Sequence, residues 1–481
     1  MMKNKSIKRF LASVLIMILT ILTGHAQQGD SLSHYLETAA RNNPLIKADF
    51  ASYKASMEKV TQAGTYPDPE LEIGFFLKPM EITNGKQIAD FTLMQMFPWF
   101  GTRSAAQNEA TEMTKMAYEK FRESRNDLFY QVKSQWYQLS NLREQRKNTQ
   151  AHLVLLNQLE QLALTRFSSP TGGGNSQRSF SSAAQQPATI VGGGMQSMGG
   201  GTTQESSVPP ATNSMNSMQA SSMSSGTSSS LSDVLRIQLE KKELENKLGT
   251  ILSDTKAAEA RFNALLNRPQ QLSVTVPDSL QQVLFSTDDR AMLDTITTQN
   301  PMLAMLEAEG NAYEAKRVMD KRMSYPMFGI GLQYSLIGKK TGGTDTMAAM
   351  NGNDMIMPMV KITLPILRRK YNAQQRESQF NYQSRRMKYD DTVNKLQAEY
   401  TGLKQQLEDA SRKVTLYTEQ YTLSQSIYQV MVRSFSAGNT SLTDVIAVER
   451  QMLDYNLRKS ESIASYNTMV AGIQKLVSTT F

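Results

Sequence analysis

The chain has 481 residues, of which 40% are hydrophobic, enough for a large core or for several domains. It contains no cysteine. This excludes disulfide frameworks, thiolate metal sites, cysteine nucleophiles and a lipid anchor on an N-terminal cysteine. The formal net charge is +8, which falls to +4 without the four basic residues of segment 1–26, and so small an excess on a long chain argues against a nucleic-acid partner.

The first 26 residues have the features of a signal peptide. Four basic residues precede an apolar segment at 10–22, and Gly24 and Ala26 supply small residues before a cleavage site. The apolar segment is shorter than the roughly 20 residues that a membrane-spanning helix needs. We therefore expect segment 1–26 to be removed, so that the mature chain begins near Gln27. Because this segment carries four basic and no acidic residues, the net charge then falls from +8 to +4.

An internal duplication organises the rest of the chain. Asn43-Pro44 recurs as Asn300-Pro301, 257 residues later. Downstream, Phe97-Pro98-Trp99-Phe100 is matched after 267 residues by Leu364-Pro365-Ile366-Leu367. A loop of ten extra residues within 338–354 accounts for the change of register. We expect a first structural repeat over 27–285 and a second over 286–481.

The first repeat also contains an insertion. In the second repeat, Asp444 follows Arg433 after eleven residues, whereas the matching Asp233 follows Arg166 after 67 residues. The extra 56 residues lie at about 169–229 and consist mainly of Ser, Gly, Met, Gln and Thr. Such a composition buries too little apolar surface to offset the entropy of ordering. The insertion is therefore predicted to be a flexible loop on a fixed scaffold.

Each repeat is predicted to contain a helix, two strands and then two long helices. The strands are expected at about 70–78 and 90–97, and at about 327–337 and 355–364, where large apolar residues alternate with small or polar ones. Strands of about 9–10 residues can cross a bilayer when tilted. The same alternation also fits a half-exposed sheet on a soluble core. Two strands alone are barely stable in water, so these strands need partners.

The long helices have the spacing of coiled-coil seams. Apolar residues recur at intervals of three and four in both halves, namely Phe129, Val132, Trp136 and Leu139, and then Val393, Leu396, Tyr400, Leu403 and Leu407. An ordinary helical bundle is the alternative that this periodicity leaves open.

Three features resemble the TolC-type outer-membrane efflux proteins. Met96-Phe97-Pro98-Trp99-Phe100-Gly101 is similar to the turn from barrel strand into tunnel helix in that family. The segment Arg433-Ser-Phe-Ser-Ala-Gly438-Asn-Thr-Ser441-Leu-Thr-Asp444-Val445 is similar to the family motif Arg-[Phe/Tyr]-x-x-Gly-x-x-Ser-x-x-Asp-Val. The tandem duplication is the third feature, and the likeness extends over nearly the whole mature chain.

The resemblance implies an α+β, mainly α fold. Long coiled-coil helices would form an α-barrel, and four transmembrane strands per chain would complete a twelve-stranded barrel in a homotrimer. The implied function is a passive exit duct in the outer membrane, in contact with its lipids. It would extend into the periplasm and join a periplasmic adaptor protein and an inner-membrane efflux pump. A periplasmic coiled-coil scaffold without a channel is the alternative.

The resemblance and the repeat spacing also single out structural turns. The strand-to-helix turns are predicted at Pro98, Trp99, Phe100, Gly101 and Pro365, and a motif turn at Arg433, Gly438, Ser441 and Asp444. Glycine permits a positive φ there, and Ser441 and Asp444 can cap the next helix. The resemblance places the first-half copy of the motif turn, which the insertion splits, in a belt around the tunnel. The turns at the periplasmic tips are expected near 142–147 and 409–414, with Leu142, Arg143, Arg146, Asp409 and Arg412 as tip candidates. The insertion would either serve a partner at the belt or be neutral.

No catalytic constellation is evident, and we expect no enzyme activity, no cofactor and no metal site. His34 and His152 are predicted in different elements, and the glycine clusters lack the Gly-Lys-Ser/Thr of a phosphate loop. The 29 methionines leave one alternative open. Thioether sulfur suits Cu(I), whereas methionine is also a common apolar filler. They cluster in the insertion (Met195, Met198, Met215, Met218, Met223) and around the last strand (Met347, Met350, Met355, Met357, Met359).

Overall fold

The structure, a computed structural model, describes residues 32–82, 85–168, 228–285, 288–339 and 352–478. The expected signal peptide, nearly all of the expected insertion and most of the ten-residue loop lie outside the described residues.

The described chain is mainly helical with one small antiparallel sheet, as expected for the fold class. Two short helices, two strands and two long helices follow one another in each half. In the first half they are α1 (Leu32–Asn42), α2 (Pro44–Ala63), β1 (Glu70–Ile82), β2 (Gly85–Phe97), α3 (Thr102–Ser168) and α4 (Ser228–Leu265). In the second half they are α5 (Asp289–Gln299), α6 (Pro301–Met323), β3 (Met327–Gly338), β4 (Met355–Thr363), α7 (Arg368–Ser436) and α8 (Leu442–Val477).

The repeated Asn-Pro pair begins the second helix of each half in the same way. The Asn43 side chain accepts a hydrogen bond from the Leu45 amide (2.9 Å) and donates one to the Leu265 carbonyl (2.9 Å). Asn300 does the same with the Met302 amide (3.0 Å) and the Leu476 carbonyl (2.9 Å). Each asparagine therefore caps one helix and holds the C-terminal end of the last helix of its own half.

The four strands form one antiparallel sheet in the order β1-β2-β3-β4. The central β2–β3 pairing joins the two halves, for example at Leu93 opposite Leu332. The first hairpin is longer than predicted. Its pairing resumes beyond a register shift between Phe75 and Met80, where the apolar–polar alternation is interrupted.

The two longest helices start at the sheet and run to the opposite end of the molecule, which we call the far end. α3 has 67 residues and α7 has 69, about 100 Å each at 1.5 Å per residue. α4 and α8 have 38 and 36 residues and pack along them for about half that length. α2 packs against the part of α3 nearest the sheet, and α6 packs against the corresponding parts of α3 and α7.

The turns expected near 142–147 and 409–414 were wrong, because α3 and α7 are continuous through both segments. Neither segment contains glycine or proline, and the apolar seam continues through them. Leu139 and Leu142 are buried in α3, and Leu407 and Ala410 in α7. Nothing in the local sequence therefore ends either helix at these positions.

Three buried clusters hold the helices together. One joins α1, α3 and α4 around Tyr35, whose ring centroid lies 5.3 Å from that of Trp136 and 5.1 Å from that of Phe262. A second joins α5, α7 and α8. The third joins α3, α4, α7 and α8 at the far end. In the described parts of the chain, no helix is both long and apolar enough to span a membrane.

Candidate functional site

The sheet has two chemically different faces. In the rows of regular register, one face carries large apolar side chains, and Phe75 (71%) and Val360 (74%) are strongly exposed. Leu77, within the register shift of β1, is also exposed (99%). The other face carries Glu70, Glu72, Thr92, Gln333, Lys361 and Thr363, together with methionines. Within the described chain, β1 and β4 each have one unpaired edge. The single chain thus presents an open sheet with an uncovered apolar face.

The first strand-to-helix junction brings the two halves together. The Trp99 ring stacks on Tyr325 (centroids 5.4 Å apart) and on Phe328 (5.7 Å), both from the second half. Gly101 has φ +79°, and Arg322 donates a hydrogen bond to the Phe100 carbonyl (3.1 Å). The turn after Pro98 is therefore held by side chains from the end of α6 and the start of β3.

The matching junction at Pro365 has a different local structure. The Ile366 amide donates to the Leu364 carbonyl (2.9 Å), and the Arg368 amide donates to the Ile366 carbonyl (2.9 Å). Leu367 gives α7 no side-chain cap. Ile366, Leu367 and Phe100 are strongly exposed, so both junctions display apolar side chains next to basic ones.

The Arg433–Asp444 motif forms the turn between α7 and α8, at the far end rather than in the middle of the molecule. Gly438 has φ +84°, and the Asn439 amide donates to the Ser434 carbonyl (3.0 Å), an arrangement that ends helices. Ser441 caps α8: its hydroxyl accepts from the Asp444 amide (3.2 Å) and donates to the Asp444 carboxylate (2.7 Å). Arg433 lies in the last turn of α7 and is exposed.

The belt location expected for the first-half copy of this turn was wrong, because α3 is unbroken over 67 residues between the sheet and the insertion. An unbroken α7 of 69 residues separates the motif from the sheet, so the turn lies at the opposite end of the molecule. The ends of α3 and α4 that flank the insertion lie in the same region, because Ala163 and Val234 share a buried cluster with Phe435 and Leu442. The insertion therefore joins helices at the far end.

Charged residues connect the far-end helices. The Glu240 carboxylate of α4 accepts a hydrogen bond from the Arg450 Nε of α8 (2.6 Å). This interaction raises the pKa of the Arg450 guanidinium. Between α3 and α4, Lys241 donates to Glu160 (2.7 Å) and lowers the pKa of that carboxyl.

A second pair is fully enclosed in the far-end bundle. His152 Nδ1 of α3 lies 2.7 Å from Glu449 Oε1 of α8, and the two residues are only 2% and 0% exposed. Tyr428 of α7 lies nearby, and burial together with the Glu449 charge raises the pKa of its hydroxyl to about 12. Such buried charge on an otherwise apolar seam is costly unless it is paired.

The five tip candidates lie within the helices, far from either turn. Leu142 is buried among α3 and its neighbours, and the Arg143 side chain donates to the Val276 carbonyl (2.6 Å) and pairs with Asp278. Arg146 is half-buried one turn further along α3. Asp409 pairs with Arg412 and with Lys413 on the exposed side of α7. Leu142 and Arg143 therefore support packing about halfway along α3, whereas Asp409 and Arg412 form exposed pairs within α7.

The sequence did not identify the His152–Glu449 pair. The two residues are 297 positions apart, and no spacing links them. One signal was present, since Glu449 lies on the α8 seam between the buried residues Val445 and Met452. A carboxylate at such a position needs a partner from a neighbouring helix. Among the residues that the structure describes, no group of three or more His, Asp or Glu side chains is arranged to hold a metal ion.

Comparison with known proteins identifies the fold. A scan against protein-family models finds no match, and a search of curated proteins finds no similar sequence. Solved structures of outer-membrane channels do match. VceC of Vibrio cholerae, an outer membrane protein, is 13% identical over 93% of this chain and 96% of that chain, with a TM-score of 0.64.

Two further channels match to a similar extent. The CmeC outer membrane channel of Campylobacter jejuni is 10% identical over 93% of this chain and 85% of that chain, with a TM-score of 0.62. The open state of the MtrE outer membrane channel of Neisseria gonorrhoeae is 11% identical over 93% and 88%, with a TM-score of 0.64. The chain therefore has the fold of these outer-membrane channels, mainly helical with a small antiparallel sheet, and the resemblance to TolC-type proteins is confirmed at the level of the fold of the single chain.

Proposed function

We propose that this protein is the outer-membrane channel of a tripartite efflux system. Three copies would close their sheets into one twelve-stranded barrel in the outer membrane. Their long helices would continue the barrel as a tunnel into the periplasm. The duct is passive: it conducts cargo, and an inner-membrane pump joined through a periplasmic adaptor supplies the energy.

The observation that carries this proposal is the open sheet with its exposed apolar face. In water, exposure of large side chains such as Phe75, Leu77 and Val360 is unfavourable by about 25 cal/mol for each Å² of apolar surface. Lipid removes this cost on the apolar face. Pairing of β1 with β4 of a neighbouring copy satisfies the two unpaired edges, since a spanning sheet must leave no edge in the membrane.

The helices support the same assembly. Toward its far end, α7 displays exposed apolar residues at intervals of seven, four and three, namely Leu416, Leu423, Ile427 and Val430. This is the spacing of a coiled-coil seam, and in the single chain the seam has no covering helix. Leu235 and Leu239 on α4 form a similar exposed pair. A helix from a neighbouring copy in a closed trimer would cover these residues.

The far end suits contact with an adaptor protein. It lies about 100 Å from the sheet along α3 and α7, far enough to reach well into the periplasm. The turn between α7 and α8 is capped and the core beside it is packed, so this part of the far end offers a defined surface. The adaptor and the pump are partners that the shared fold suggests.

Membrane fractionation and planar-bilayer recordings test the proposal. We expect the protein in the outer-membrane fraction and, after reconstitution, discrete conductance steps. A protein found in the soluble periplasm that produces no conductance would instead support the competing function, a coiled-coil scaffold without a channel.

A further inference from the structure

In the rows of regular register, methionines are confined to one face of the sheet. On the polar face, three neighbouring rows contain Met94, Met96, Met357 and Met359, and methionine is the only apolar side chain in these rows. The opposite face is built from Leu, Ile, Val, Phe, Tyr, Pro, Ala and one Gln, and it contains no methionine in its rows of regular register. An apolar filler would be drawn from the same mixture on both faces. Methionine on the polar face therefore needs a separate explanation.

Two sulfur atoms of this face, those of Met94 and Met96, lie together over two glycines of β3. A Cβ atom placed on Gly329 would lie 2.6 Å from Met96 Sδ and 3.2 Å from Met94 Sδ, and one on Gly331 would lie 3.0 Å from Met94 Sδ. The two sulfur atoms are thus neighbours, and both occupy space that any larger residue in β3 would fill. Met94 itself is only 9% exposed.

The strand on the other side of these glycines continues the cluster. Met359 of β4 is paired with Gly331, and Met357 lies two residues before it on the same face. Thioethers therefore border the glycine strip from both β2 and β4. Glu70 is paired with Met94 at the end of the same row and contributes a negative charge. Lys361 is paired with Gly329, but its long side chain can carry the ammonium group away from the sulfurs.

We propose that Met94, Met96, Met357 and Met359 form a binding site for a soft monovalent cation, Cu(I) or Ag(I). Uncharged thioethers are the ligands that Cu(I) prefers, and hard cations such as Mg²⁺ and Ca²⁺ do not compete for them. The site belongs to a single chain and is independent of the trimeric channel. If the polar face lines the channel, the site lies on the route of the cargo.

Titration of the purified full-length protein with Ag(I) in chloride-free buffer tests the site. The double substitution Met94→Leu/Met96→Leu preserves side-chain volume, so the fold is retained. In calorimetry, the parent protein should bind one more Ag(I) ion per chain with high affinity than the variant does. The variant's affinity for Ag(I) at this site should be at least about tenfold weaker. Met57→Leu/Met387→Leu is the matched control, because both residues are well exposed on helices. It should bind as the parent does.

A second measurement assigns the site to residues. Ag(I) should protect Met96, Met357 and Met359 from oxidation by peroxide, as read by mass spectrometry, and should leave Met57 and Met387 unprotected. Equal Ag(I) binding by the parent and the Met94/Met96 variant, or an equal loss in the control, would overturn the proposal. The methionines would then only fill space above the glycines. Met357→Leu/Met359→Leu gives the same test should the first variant misfold.

Discussion

Removal of the imidazole from the buried His152–Glu449 pair should loosen the far end of the molecule and little else. The His152→Ala substitution leaves Glu449 0% exposed and without its 2.7 Å partner. The second carboxylate oxygen, Oε2, has no hydrogen-bond partner among the described residues, so the carboxylate would lose its one close contact. The other two buried clusters share no residue with the far-end cluster.

The expected cost follows from the burial of both groups. Removing the hydrogen-bond partner of a buried polar group costs about 1–3 kcal/mol, because the remaining group stays buried without compensation. A loss of this size makes local opening roughly 5 to 150 times more frequent. Replacing both residues by apolar ones (His152→Leu/Glu449→Leu) should recover most of the loss, since neither polar group then remains buried without its partner.

Hydrogen exchange followed by mass spectrometry measures this opening helix by helix. Protection should fall around Leu156 in α3 and Leu453 in α8 and should stay unchanged around Tyr35. Glu245→Gln is the control: Glu245 forms an exposed pair with Lys242, worth less than about 1 kcal/mol. If His152→Ala changes hydrogen exchange at the far end no more than Glu245→Gln does, the His152–Glu449 contact does not stabilise the far-end bundle.

Three further predictions concern stability. Asn300→Asp keeps the cap on α6 but removes the donor to the Leu476 carbonyl, so the unfolding midpoint should drop by the equivalent of about 1–3 kcal/mol. A midpoint equal to that of the parent would show that Asn300 does not stabilise the end of α8. Gly438→Ala forces a side chain into φ +84° and should lower the free energy of unfolding by about 1–2 kcal/mol. Gly402→Ala inside α7 should instead raise it by about 0.5–1 kcal/mol. A Gly438→Ala protein more stable than Gly402→Ala would contradict the assigned turn. Because the folded-state pKa of Tyr428 is raised to about 12, the folded protein holds this proton more tightly, and stability should decline from pH 10 to pH 12. Denaturant titrations should show a smaller decline for Tyr428→Phe.

Much of the fold was predictable because local signals and the duplication point to the same elements. The Asn-Pro pairs mark helix starts that the structure shows as matching caps at Asn43 and Asn300. Alternation located the strands, since one face is apolar at every position of regular register except Gln95. It missed the outer half of the first hairpin, where the register shift after Phe75 breaks the pattern.

The predicted tip positions were wrong because the spacing between the two repeats does not show where a helix ends. Positions 142–147 and 409–414 were inferred from repeat arithmetic, although neither contains a residue that ends a helix. The segment with a glycine of positive φ and a capping serine, Gly438 to Ser441, is where α7 ends and α8 begins. Contacts between distant segments, such as the pairing of His152 with Glu449, depend on how the helices pack. Sequence spacing alone does not reveal them.

Disulfide trapping between β1 and β4 tests the central claim most directly. Within one chain these edge strands are three strand spacings apart, about 14 Å, too far for a disulfide. The protein has no cysteine of its own, so Glu72→Cys can be combined with cysteines at the polar-face positions 355, 357, 359, 361 and 363 of β4. A closed trimer predicts that oxidation of isolated outer membranes yields linked species of two and three chains and none larger. Chains that stay monomeric at every position, or a ladder that continues beyond three, would contradict the assembly.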